Sequence, residues 1–171
     1  MKTLSVIFML FLALTACNPK LTGQKLYLYI SEHNRSTHSD VLAAASKEVR
    51  KQGIKLVYQK LGPFLSKSVN EIVGPLTDGD SLAVVAYEQD WGPKLESRLK
   101  SVQDWLAQTS RQKSKPPIRF GFWLLGKGNT PKLAPALQSW PDMDAVSSAS
   151  SERPAKTTAK KFFASLAAKS P

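Results

Sequence analysis

The chain has 171 residues, one domain's worth, and 24 Lys and Arg stand against 13 Asp and Glu for a formal charge of +11. That balance points to anionic neighbours (phospholipid head groups, lipopolysaccharide, cell-wall polymer or nucleic acid), although a solvated surface that keeps the protein in solution explains it as well. A single cysteine excludes an internal disulfide and a cysteine-built metal cluster.

Residues 1–17 read Met-Lys-Thr-Leu-Ser-Val-Ile-Phe-Met-Leu-Phe-Leu-Ala-Leu-Thr-Ala-Cys. The apolar run from Leu4 to Ala16 is shorter than the roughly 20 residues a bilayer-spanning helix needs. With Lys2 before it and small residues ahead of Cys17, the stretch resembles the signal peptide and lipobox of bacterial lipoproteins. The resemblance implies that the Cys17 thiol is lipidated, that residues 1–16 are removed, and that the new α-amine is acylated. Asn18, in place of the aspartate associated with inner-membrane retention in that family, favours the periplasmic side of the outer membrane. With its one thiol used by lipid, the chain has none left for nucleophilic chemistry.

Pro19 to Gln24 reads as a tether, and Lys25 to Ile30, alternating Leu26, Leu28 and Ile30 against Tyr27 and Tyr29, as a first strand. A polar loop follows. Ser36, Thr37 or Ser39 then caps a helix running to about Gln52 with Val41, Leu42, Ala45 and Val49 on one face. Ile54 to Tyr58 makes a second strand, and a helix from about Phe64 to Val73 follows the Gly62-Pro63 break. Leu82 to Tyr87 is apolar throughout, as a strand covered on both faces requires. Beyond Gly92-Pro93, Leu95, Leu99, Val102 and Leu106 recur at helical spacing. Arg111 to Lys115 is a basic connector, and Ile118 to Leu125 is the fourth strand.

Strands alternating with helices, on connections too long for hairpins, predict an α/β fold. It is a small doubly wound, mostly parallel four-stranded sheet flanked by helices in a three-layer sandwich. After Gly126 the composition turns to proline and serine, and Val146 to Ser151 reads as a linker. Lys156 to Lys169 forms a last helix. The division is therefore residues 1–16 as signal peptide, 17–24 as lipidated tether and 25–141 as the α/β domain. Residues 142–171 form a flexible linker and a basic amphipathic segment.

Several short patterns carry possible chemistry. Gly79-Asp80-Ser81-Leu82 spells the signature of the GDSL esterases, which would make Ser81 a nucleophile. In that family the serine ends a strand and a later histidine serves as base. Here a strand follows the serine, and His33 and His38 both precede it. Gly121 to Gly128 is one residue short of a P-loop, with apolar strand residues between its glycines. Asn34-Arg35-Ser36 is a glycosylation sequon without meaning in a bacterial lipoprotein. His33 and His38 lie five apart, off register for one helical face, and their spacing matches no familiar zinc site.

Ser31-Glu32-His33-Asn34-Arg35-Ser36 after the first strand, Gly79-Asp80 before the third, and Gly128-Asn129-Thr130-Pro131-Lys132-Leu133 together resemble a degenerate von Willebrand factor A domain. That family holds a divalent cation through Asp-x-Ser-x-Ser, and the aspartate is missing here. A flavodoxin-like sandwich fits the same pattern of elements.

Outside the core, Lys156, Lys160, Lys161, Phe162 and Phe163 form the candidate binding element: an amphipathic helix for an anionic membrane or a partner's groove. The expectation is a lipid-anchored envelope protein that acts as a non-catalytic adaptor or binding module, with no cofactor and no metal. Its partners would be an envelope protein assembly or an anionic polymer, with nucleic acid also open. The alternatives are an envelope hydrolase using Ser81 and a cation-binding adhesion module.

Overall fold

The computed structural model describes residues 23–33, 35–110, 118–133, 137, 143–150 and 152–168. Residues 1–22, on which the expected signal sequence, lipidated Cys17 and tether fall, lie outside that set, as do Asn34, the 111–115 connector, Trp140 and Lys169.

Five strands form one parallel sheet: β1 (Lys25–Ile30), β2 (Lys55–Lys60), β3 (Ser81–Tyr87), β4 (Arg119–Gly126) and β5 (Met143–Ala149), in the order β2-β1-β3-β4-β5. This is the order of flavodoxin-like doubly wound sheets, and helices cover both faces. Helices α1 (Arg35–Lys51) and α5 (Glu152–Ala167) pack on one face; α2 (Leu61–Ser66), α3 (Val69–Val73) and α4 (Pro93–Ser110) pack on the other.

Strand alternation sorts the core into two halves. Leu26, Leu28 and Ile30 of β1 meet α1 and α5, while Tyr29 faces Phe64 and the α2–α4 layer. In β3, Ala83 and Val85 point one way and Leu82, Val84 and Ala86 the other, so every residue of the strand is buried. That two-sided burial is why it reads as an unbroken apolar run. Among the described residues no helix is long and apolar enough to cross a membrane.

The structure departs from the sequence reading in three places. A fifth strand stands where the composition of residues 142–151 predicts a linker. Met143–Ala149 pairs in parallel with β4 from Phe120↔Met143 to Gly126↔Ala149. Its small and polar residues carry little β propensity, and backbone pairing on an already formed edge supplies what they lack. The expected helix over 64–73 is two short ones, because Ser68 starts a new helix: its hydroxyl accepts from the Glu71 N–H, and Glu71 reaches back to the Ser68 N–H. Pro63 lies inside the first turn of α2, where its missing N–H costs no hydrogen bond.

The third departure is the C-terminal element. Phe162 and Phe163 do not project toward a membrane or a partner; they are buried against Trp123, with ring centroids 5.9 and 6.4 Å away. The sheet itself makes room for them, since a Cβ on Gly121 would come within 2.8 Å of both Phe162 and Leu166. Helix α5 is thus an integral layer of the domain, and Lys156, Lys160 and Lys161 are among the side chains it leaves at the surface.

Candidate functional site

All five strands run the same way, so the sheet has a rim where strands begin and a rim where they end. The chain leaves β1 for β2 on one side and returns to β3 on the other, so the loops after β1 and β3 part at the strand-end rim. Doubly wound folds hold their ligands in the crevice at that reversal.

Here the crevice is bridged. His33, in the loop after β1, meets Asp90, the last residue of a 3-10 turn Glu88–Asp90 after β3, with Nε2 and Oδ1 2.7 Å apart. The other carboxylate oxygen of Asp90 accepts the Tyr87 backbone N–H at 2.9 Å, which fixes the acid before the histidine reaches it. The His33 ring stands edge-on to Tyr87, 6.3 Å between centroids. His33 is half exposed and Asp90 only 13 % exposed, so the pair offers an oriented imidazole to solvent over a sheltered carboxylate.

Beneath it the rim is closed by polar contacts. Ser31 donates its backbone N–H to Val85 O at 2.9 Å, and the buried Thr37 hydroxyl donates to Ser150 O at 3.2 Å. Burial pushes the Tyr87 phenol above its ordinary pKa; a Thr37 hydrogen bond opposes the shift and the Asp90 carboxylate adds to it. Beside the crevice, between the ends of β1 and β2, Glu32, His38, Ser39 and Lys60 line an open depression of about 410 Å³. Glu32 and Lys60 are paired across it at 2.8 Å. The rim therefore presents an imidazole, carboxylates and an ammonium in fixed relation, a pattern suited to polar recognition.

The residues singled out from sequence are dispersed. Ser81 lies at the opposite rim, buried, its hydroxyl donating to Leu166 O at 2.7 Å. Roughly six residue steps of strand, about 20 Å, separate it from the rim that carries His33 and His38. Asp80 is fully buried, and its carboxylate accepts the Lys25 N–H at 2.7 Å and both the N–H and hydroxyl of Thr77 at 2.9 Å. Gly79-Asp80 is thus a turn that ties the start of β1 to the start of β3. Gly121 to Gly126 is strand, and the near P-loop ends in a turn with Gly128 at φ +88°.

Of the three stretches resembling a von Willebrand factor A domain, the loop after β1 and Gly128–Leu133 lie at the strand-end rim. Gly79-Asp80 lies at the other. Among the described residues no group of three or more His, Cys, Asp or Glu gathers in one place. Glu32, His33 and Asp40 are instead divided among Lys60, Asp90 and Lys156.

The His33–Asp90 contact joins positions 57 residues apart and has no local signature. Only the strand order shows that the two loops meet. The chain matches no protein-family model, no curated protein and no solved structure.

Proposed function

We propose that this protein is a lipid-anchored cell-envelope binding module, tethered through Cys17 and engaging its partner, without catalysis, at the strand-end rim around His33 and Asp90. The observation that carries the binding assignment is the 2.7 Å bridge across the crevice at the strand-order reversal. Support for the anchor comes from the lipobox pattern Leu14-Thr15-Ala16-Cys17. The engagement of the Ser81 hydroxyl by Leu166 O, far from either histidine, argues against the serine-hydrolase alternative.

A photo-crosslinking residue at Gln89, exposed on the turn beside Asp90, tests the assignment in intact cells, with Ser101 on α4 as the control position. Gln89 should capture a defined envelope partner by mass spectrometry, and His33→Ala or Asp90→Ala should abolish the capture. Equal capture at Ser101, or none at Gln89, would sink the rim assignment. Replacing Cys17 by Ala should release the domain from the membrane fraction.

A further inference from the structure

We infer that the outer face of α1 and α5 is a docking surface for an anionic phospholipid bilayer, which orients the tethered domain on its membrane. The inference rests on the lipid-anchor reading for its setting and on charge and geometry for its content.

Among the described side chains, the two helical faces differ in charge. The α1/α5 layer presents Lys47, Arg50, Lys51, Lys156, Lys160 and Lys161. Of the carboxylates described there, Glu48 is engaged by Lys51 at 2.8 Å and Asp40 by Lys156 at 3.8 Å. On the α2–α4 layer, Lys67, Lys94, Arg98 and Lys100 exceed Glu71, Glu96 and Asp104 by a single charge.

The basic face is also smooth. Between its lysines, α5 exposes Thr157, Ala164 and Ser165, and α1 exposes Ser39 and Ala43. Such a surface settles against head groups without inserting. Tyr58, 57 % exposed and the one large hydrophobic side chain so exposed among the described residues, flanks it. Tyr58 is paired with Leu28, which points toward α1, so both lie on the α1 side of the sheet. An amphipathic ring suits the water–lipid interface.

The tether departs from the right place. Gln24 accepts the Lys55 N–H at 3.0 Å, just past the end of α1, where Lys47, Arg50 and Lys51 cluster. Residues 18–24 span at most about 25 Å when extended, enough to pass the roughly 10 Å thickness of a helix layer and reach a surface on which that layer rests. The acyl anchor would supply residence and the lysines would supply orientation, since basic side chains near an anionic leaflet are drawn to it within about a Debye length.

The test uses the full-length protein reconstituted in vesicles, with an environment-sensitive thiol dye on Ala164→Cys or, as control, Ser101→Cys. On phosphatidylglycerol-containing vesicles the Ala164 probe should shift to the blue, and on phosphatidylcholine alone it should not. The shift should vanish at about 1 M salt, where the Debye length is about 3 Å, and in the combined Lys47→Glu, Lys160→Glu, Lys161→Glu variant. The Ser101 probe should stay unchanged throughout, and circular dichroism should show the variant folded.

A response that ignores lipid charge, or one shared by both probes, would overturn the inference. So would protection of Ala164 by duplex DNA or a protein with no response to phosphatidylglycerol. The anchor is judged separately: the unsubstituted protein takes up no thiol dye if the Cys17 thiol carries lipid, and one equivalent if that thiol is free. In the latter case the probes are read in a Cys17→Ala background, where the same responses to lipid charge and salt decide whether the face binds.

Discussion

Substituting Phe163 by Ala tests whether α5 is part of the core or an appendage held in reserve for a membrane. Phe163 is fully buried, with the Phe162 ring at 5.2 Å and the Trp123 ring at 6.4 Å. Truncating such a side chain costs about 3–5 kcal/mol, the aromatic contacts supplying about 0.5–1.5 kcal/mol of it per pair. Against a total stability of about 5–15 kcal/mol, that is a large fraction. For a domain of this size it lowers Tm by roughly 2–4 °C per kcal/mol, so by about 6–20 °C. Urea unfolding followed by circular dichroism and Trp fluorescence measures it, with Lys160→Ala and Lys161→Ala expected within about 0.5 kcal/mol of the parent. A Phe163→Ala protein as stable as the lysine variants would refute the docked position of α5.

Gly121→Ala should destabilise by about 1–3 kcal/mol, because the added methyl meets the Phe162 and Leu166 side chains at 2.8 Å; Phe162→Leu, which withdraws the ring, should recover part of that in a double-mutant cycle. Asp80→Ala should cost about 3–5 kcal/mol in the same unfolding assay, since it leaves the Lys25 N–H and two Thr77 donors without their buried acceptor. Ser81→Ala, which removes one hydrogen bond to Leu166 O, should cost only about 0.5–1.5 kcal/mol. Burial raises the pKa of Tyr29, assisted by Tyr27, and that of Tyr87. A raised folded pKa stabilises the fold fully below the unfolded value of about 10 and loses that contribution as pH climbs through the folded value. Absorbance titration should show late-ionising tyrosines that Tyr29→Phe and Tyr87→Phe remove, and the alkaline unfolding midpoint should rise in both variants.

Where burial follows the local chemical pattern, the fold is legible in the sequence. The alternation of Lys25–Ile30, the uninterrupted apolar run in β3 and the helical spacing of Leu95, Leu99, Val102 and Leu106 each announce one element and its buried face. Met143–Ala149 announces little, because Met143 and Val146 are its only large apolar residues; the backbone of β4, and Ser148 accepting the Trp123 indole N–H at 3.0 Å, help to hold it. The pattern of α5 shows that Phe162 and Phe163 must be covered, but a periodicity cannot say by what. Gly121, about 40 positions earlier, is the other half of that contact. The crevice is less legible still: His33 and Asp90 are ordinary loop residues until the order β2-β1-β3 puts their loops side by side.

A parallel sheet separates entry from recognition by construction. Lys25 opens β1, so the proposed tether would enter at the rim where strands begin, while His33 and Asp90 sit where strands end, one strand length or about 20 Å away. If the α1/α5 face rests on the bilayer, the strands lie along the membrane and the crevice opens sideways, neither pressed into lipid nor held at the far pole. Orientation and capture then depend on different side chains. Reversing Lys47, Lys160 and Lys161 should free the domain to tumble on its tether and leave crosslinking at Gln89 in place. His33→Ala should abolish crosslinking and leave the Ala164 probe on the lipid. Loss of both properties in either variant would mean that lipid and partner share one surface, and the division of the molecule into an orienting face and a recognising rim would fall.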